Sequence, residues 1–144
     1  MYRAREKQMS IYDYLPPYHG ELCNANRWVR LAAAIDWDGF EKAYSALFAP
    51  GGKVALPARV ALGCRIIQLH YAASDREVVA LVQESPYLQY FLGFENFTDE
   101  VPFSSRTVAR FRARIPDKAV RPAVPAQLSV THSFIIERYS WNCL

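Results

Sequence analysis

Three arginines, Arg106, Arg110 and Arg114, recur every four residues along the segment SSRTVARFRARI. On a helix this spacing puts their side chains in one row, displaced by roughly 130° from the apolar side chains of the same segment. A row of guanidinium groups can clamp successive phosphates of a nucleic acid. The same row is also common on a solvated helix face, and charge runs alone do not choose between the two.

Polar residues stand at the start of the same segment. Ser104, Ser105 and Thr107 lie in its first turn, and Arg112 lies near the edge of its basic face. Three short consecutive helices, of which the last has a polar start and a basic outer face, match a helix-turn-helix-like arrangement whose helix end can approach base edges. We therefore predict that these seven residues form a DNA-binding surface.

The charge of the chain is concentrated around this segment. The formal net charge of the 144 residues is only +3, with a pI near 8.8. The stretch from Ser104 to Arg121 holds six basic residues and one acid, whereas Gly93 to Phe103 holds three acids and no base. The position of the charge, more than its total, favours an anionic partner.

No catalytic, cofactor or metal site is predicted. The three histidines are isolated, the close carboxylate pairs lie at helix caps and in loops, and the three cysteines form no C-x-x-C pattern. The chain has none of the usual phosphate-loop, nucleophile or zinc-protease motifs, so we expect no small-molecule substrate. Without an export signal or an apolar stretch long enough for a membrane span, we expect a cytoplasmic protein with no membrane partner.

The elements that position the arginine row are predicted to be helices. Hydrophobic periodicity and cap signals predict an all-α fold, a compact bundle of about five to six short helices with a helix-turn-helix-like C-terminal part. Ser74 and Glu77 form a capping-box pattern, and Pro86 can open the next helix. The predicted helical segments are 24–34, 36–49, 56–73, 74–85, 86–93 and 104–115.

Within this bundle, residues 56–73 carry the widest apolar stripe and are predicted to form the central, most buried helix, with Arg59, Arg65 and Gln68 on what remains of its surface. The aromatic cluster in SPYLQYFLGF is predicted to be core. Its alternative, stacking on single-stranded bases, calls for flanking basic residues, and none lies between Glu77 and Val101.

Three regions follow from these patterns. Residues 1–23 are predicted to be an extended N-terminal arm whose Tyr12, Tyr14 and Tyr18 lie against the body, and residues 24–116 to be the helical domain. Residues 117–144 contain interior prolines and no useful amphipathic helix, so an irregular tail is predicted there.

Several stretches of the chain resemble the N-terminal domain of bacterial insertion-sequence transposases of the DDE type. They are MYRAREKQMS, NRWVRLAAAIDWDGFEKAY, LPARVALGCRIIQ, SDREVVALVQESPYLQYFLGFENF and VPFSSRTVARFRARI, in that order. The most specific parts are SPYLQYFLG and PFSSRTVARFRAR, and the resemblance covers residues 1 to about 116.

The resemblance implies a helical domain that binds the terminal inverted repeats of a mobile element, as double-stranded DNA, and takes part in transposase subunit assembly. It also implies a following ribonuclease-H-like domain in which three acidic residues hold two divalent metals, usually magnesium. Only residues 117–144 follow Pro116 here, and they match none of that domain. The expectation is a transposase fragment that is not an enzyme by itself and holds no cofactor, with a tail typical of a frameshift or truncation. The alternative is an interaction module that pairs with, or inhibits, full-length transposase.

Overall fold

The computed structural model describes residues 1–4, 9–17 and 20–125, and within these ranges all regular structure except one isolated bridge is helical. The bridge pairs Leu15 with Asn96 in parallel fashion. The all-α prediction is therefore confirmed. The helices are α1 (Arg27–Ala34), α2 (Trp37–Ser45), α3 (Ala58–Tyr71), α4 (Asp75–Glu84), α5 (Pro86–Phe91), α6 (Ser105–Arg114) and α7 (Asp117–Val120), and a 3-10 helix (Arg121–Ala123) follows α7.

Helix starts follow the cap signals of the sequence. The Asn26 side chain accepts a hydrogen bond from the Trp28 amide at 2.8 Å, which opens α1. At α4 the Ser74 hydroxyl accepts from the Glu77 amide and the Glu77 carboxylate accepts from the Ser74 amide, so the predicted capping box is confirmed. Pro86 occupies the first turn of α5, where its missing N–H costs nothing.

Helix α3 is the centre of the molecule, as its wide apolar stripe predicts. It packs against α2, α4, α6 and α7, and nearly all of its side chains are buried. Gly63 lets the end of α5 come close, because a Cβ at that position would lie 2.4 Å from Leu92 Cδ2. The aromatic cluster is also core, as predicted, since Phe91 is fully buried and Tyr90 nearly so.

Two arginines of α3 do not lie on a remaining surface as predicted. Arg59 donates to the carbonyl oxygens of Tyr90 (3.0 Å) and Phe91 (2.8 Å) at the end of α5. Arg65, only 1% exposed, donates to the Ile115 carbonyl at the end of α6 at 2.9 Å. The last carbonyls of a helix have no i+4 amide partner within it, so each guanidinium supplies a donor at a helix end, although the Tyr90 carbonyl also accepts from the Gly93 amide at 2.9 Å.

The N-terminal arm is held against the body along much of its described length. Leu15 donates from its amide to the Glu95 carbonyl at 3.3 Å, and its own carbonyl accepts from Phe97 at 2.9 Å. Tyr14 is buried, as predicted, but Tyr12 is 83% exposed, so the prediction for that residue is wrong. Tyr18 lies outside the described residues.

The chain beyond Pro116 does not begin an irregular tail at once. Residues 117–123 continue as α7 and the 3-10 helix, and α7 packs on α3. Val120 and Val124 are buried in the core, and Asp117 forms an ion pair with Arg65. Apolar burial and this ion pair therefore join residues 117–124 to the helical body. The rest of the predicted tail, 126–144, lies outside the described residues.

None of the helices in the described ranges is long and apolar enough to cross a membrane.

Candidate nucleic-acid interface

Helix α6 presents one face to the core and the other outward. Val108, Phe111 and Ile115 are buried, and the helix packs through this side against α3 and α4. Arg106 and Arg110 lie on the opposite side and are exposed. The two faces are therefore those that the sequence predicts.

The outward face of α6 carries small side chains beside its arginines. Ala113 is exposed and Ala109 is half-buried, and both project on the same side as Arg106 and Arg110. Small side chains at these positions let an opposing surface approach the helix backbone. In the described part of the chain, neither Arg106 nor Arg110 has an ion pair or a hydrogen bond from its side chain, so both guanidinium groups are available to a ligand.

The polar start of α6 has no side-chain cap. Ser104 is in the N-cap position, but its hydroxyl makes no capping hydrogen bond. The Thr107 amide instead donates a hydrogen bond to the Ser104 carbonyl at 3.0 Å. Ser104 is exposed, whereas Ser105 and Thr107 are half-buried. Of the three polar residues, Ser104 is the most accessible to a ligand.

Arg112 is committed to a partner within the protein. Its guanidinium binds both carboxylate oxygens of Asp75, through Nη2 at 3.0 Å and Nε at 3.4 Å, and thereby ties α6 to α4. The Arg112 hydrogen bond, and then the hydrogen bond from Gln68, lower the pKa of Asp75; the same contact with Asp75 raises the pKa of Arg112. Arg112 thus lies at the edge of the basic face, as predicted, but it is not free.

Arg114 turns toward α2. Its guanidinium carbon lies 4.8 Å from the centre of the Phe48 ring, a cation–π contact. Burial raises the pKa of the neighbouring Tyr44 hydroxyl, and Arg114 partly offsets that effect. The predicted row of three arginines is therefore two outward arginines, Arg106 and Arg110, followed by a third that anchors the end of α6.

The tight turn of this region lies between α3 and α4. Residues 72–74 join the two helices, and Ala72 takes the left-handed backbone conformation with φ 48°. Helix α6 packs across both α3 and α4, and the longer segment 92–104 leads to it from α5. Helices α3, α4 and α6 thus pack together, but they are not three consecutive helices, because α5 lies between α4 and α6 in the chain.

Within residues 1–4, 9–17 and 20–125, no three histidine, cysteine or acidic side chains come together in a group that could hold a metal ion.

The family described as "Transposase domain (DUF772)" matches residues 11–114 of this chain. The chain belongs to this transposase domain family. The match includes α1 to α6 and every residue of the predicted DNA-binding set. The resemblance found in the sequence is therefore confirmed at the level of the family.

The transposase domain is also similar to an uncharacterized protein, ORF8 in the nfe locus of Rhizobium meliloti. The two are 34% identical over 100 residues, which are 69% of this chain and 48% of the relative. The chain therefore spans about half the length of that relative. No solved structure matches the chain.

Proposed function

We propose that this transposase domain binds double-stranded DNA, at the terminal inverted repeats of a mobile element, through the outward face of α6. The observation that carries the proposal is the pair of exposed guanidinium groups of Arg106 and Arg110, which have no carboxylate partner among the described residues. An arginine pair left without an internal counter-ion is suited to an external anion.

The spacing of the two arginines suits a phosphate backbone. Four residues of helix rise about 6 Å, and the phosphates of one DNA strand follow one another every 3.4 Å or so along the duplex axis. Arg106 and Arg110 can therefore reach phosphates one or two positions apart. Ala109 and Ala113 leave room for the backbone to approach, and the exposed Ser104 hydroxyl can donate to a further phosphate oxygen.

The local charge supports the same partner. The one acidic residue between Ser104 and Arg121 is Asp117, and its carboxylate is occupied by the buried Arg65. The positive potential of α6 is therefore not cancelled by a carboxylate of its own segment. Arg114 adds to this potential from its position over Phe48, whereas the charge of Arg112 is balanced by Asp75.

In this proposal the domain contributes DNA binding and subunit assembly, and it acts in the cytoplasm. Strand cleavage belongs to a ribonuclease-H-like domain that would use magnesium; no residue of this chain is assigned to it.

The salt dependence of DNA binding tests the proposal. The probe is a labelled duplex that carries the terminal inverted repeat flanking the coding sequence, titrated at several salt concentrations. In the variant with Arg106→Ala and Arg110→Ala together, the slope of log K against log salt should become shallower by about 1.8, because each lost phosphate contact removes about 0.9. A duplex of scrambled sequence measures the non-specific share.

Arg30→Ala is the control for a single lost charge, because Arg30 is an exposed arginine of α1, which packs on α5. It should leave the slope unchanged, whereas Arg106→Ala alone should shift it by about 0.9. A double variant that keeps both its helicity and the wild-type slope would contradict the assignment of DNA contact to α6.

A second function, an interaction module for transposase subunits, is favoured by apolar side chains on the surface. Tyr12 is 83% exposed and Leu15 64% exposed on the arm, and Leu47 is 61% exposed at the end of α2. Co-purification with full-length transposase at high salt, where DNA contacts weaken, tests it. Loss of co-purification on Tyr12→Ser and Leu15→Ser is expected, and unchanged recovery of both variants would argue against it.

A further inference from the structure

We propose that Arg65 and Asp75 are positioning residues, which hold α6 at the angle where Arg106 and Arg110 meet DNA. The inference rests on the proposed function, and it concerns residues that lie on the opposite side of α6 from the DNA. Its basis is a continuous set of hydrogen bonds that runs through four helices and contacts α6 at two separate points.

The network begins inside the central, buried helix α3. The buried Arg65 guanidinium of α3 has three partners: its Nε donates to the Ile115 carbonyl, its Nη1 to the side-chain oxygen of Gln68, and its Nη2 to Asp117 of α7. Asp117 covers the guanidinium from outside, with 63% of its own side chain exposed against 2% for Arg65.

The network continues from Gln68 to the surface. The Gln68 amide donates to Oδ1 of Asp75 at 2.8 Å, and Asp75 in turn accepts from Arg112 of α6. Gln68 is itself 93% buried, since only 7% of it is exposed. Arg65 and Gln68, the buried members of this line, therefore have their partners inside the protein, which is the condition under which buried polar groups fix one arrangement.

Helix α6 is held by this network at two points near its C-terminal end. Arg112 ties its last full turn to α4, and the Ile115 carbonyl ties its C-terminus to α3. Val108 and Phe111 supply apolar contact, which is non-directional and tolerates rotation of the helix about its own axis. Hydrogen bonds at two points along the helix remove that freedom, because each requires a particular direction.

The consequence for binding is geometric. Arg110 and Arg106 precede Ile115 by five and nine residues, which is about one and a half and two and a half helical turns. A change in the rotation or tilt of α6 is carried to the tips of these long side chains. Bidentate guanidinium contact with phosphate depends on orientation, so a loosened α6 should bind DNA less well even when it remains helical.

The structure supplies a matched control on the same helix. Arg59 also donates to the end carbonyls of another helix, but that helix is α5, and α5 carries none of the proposed DNA contacts. Arg65→Met and Arg59→Met remove the same charge and the same kind of cap. We measure duplex DNA affinity of the full chain at one salt concentration, corrected for the folded fraction of each variant, together with amide hydrogen exchange along α6.

Arg65→Met should weaken binding about tenfold, because groups in one hydrogen-bond network couple by amounts of this order, and it should speed exchange in α6. Arg59→Met should leave binding within about twofold. Should Arg65→Met not fold, Asp117→Asn gives the same comparison against Asp99→Asn, an exposed aspartate that takes no part in the network.

A double-variant cycle separates positioning from general destabilisation. When Arg106 and Arg110 are already alanine, Arg65→Met should have almost no further effect on affinity, because the side chains it orients are gone. If the fold losses in DNA affinity of Arg65→Met and of the Arg106/Arg110 double variant multiply fully in the combined variant, the positioning role is overturned. The proposal that α6 contacts DNA would still hold. Equal affinity of wild type and the Arg106/Arg110 double variant would instead overturn the proposed function, and with it this inference.

Discussion

The arginines of this domain have different roles, which depend on the group that each one contacts. Arg106 and Arg110 face outward, Arg112 is bound by a carboxylate of another helix, Arg114 lies over an aromatic ring, and Arg65 is buried. The spacing of four residues predicts that three of them share a face. It does not predict the partners, because Asp75 is 37 positions from Arg112 and no local pattern connects them.

At this scale, Asp75→Asn should change how stability responds to acid. Contacts with Arg112 and Gln68 lower the pKa of Asp75 in the folded chain, so its ionised form stabilises the fold. That contribution is present above the ordinary aspartate pKa of about 3.9 and is lost as the pH falls through the lower value of the folded state. Wild type should therefore be more stable than the variant at neutral pH, and the difference should shrink in acid.

Urea unfolding at about pH 7 and about pH 2.5 measures this difference. Asp38→Asn, at an exposed position in the first turn of α2, is the control for loss of an ordinary surface carboxylate. A difference between wild type and Asp75→Asn that stays the same at both pH values would show that the ion pair does not contribute.

At the scale of the elements, the sequence predicts most helices and their buried faces. The cap residues of α1 and α4, Asn26 and the Ser74 and Glu77 pair, carry the signal locally, so these starts follow from sequence. Helix α7 could not be predicted in this way, because a four-residue helix beside prolines is too short to show a period. It is stabilised instead by distant contacts, chiefly Asp117 with Arg65 and the burial of Val120.

Two of the N-cap serines, Ser74 and Ser104, give a prediction about helix stability. Ser74 completes a capping box, whereas Ser104 stands at the start of α6 without a side-chain capping bond. Ser74→Ala should lower the free energy of unfolding by about 1 kcal/mol. Ser104→Ala should lower it by less than about 0.5 kcal/mol, because no capping bond is lost.

Thermal or urea unfolding of the two variants, followed by circular dichroism, makes the comparison. Equal losses for Ser74→Ala and Ser104→Ala would mean that the capping box contributes nothing beyond the position of the serine.

At the scale of the whole molecule, fold class, the central helix and the basic face of α6 follow from the sequence. The buried positions of Arg65 and Gln68 do not, because a polar residue within an apolar stripe gives no sign of which distant carbonyl or carboxylate it will meet. The arm shows the same limit, since Tyr14 is buried and Tyr12 exposed although both are tyrosines of one short stretch. Local periodicity thus predicts faces of helices, and long-range partners decide which polar residues remain free.

The central claim about this transposase domain is therefore that Arg106 and Arg110 are free to contact DNA. Mapping the DNA contact of the domain residue by residue tests that claim most directly. Backbone amide NMR shifts are followed while the chain is titrated with the inverted-repeat duplex. We predict that the largest changes fall on Ser105, Arg106, Ala109, Arg110 and Ala113, with little change in α1 and α5. Saturable binding whose largest changes lie on α1, or anywhere that leaves α6 unaffected, would contradict the claim.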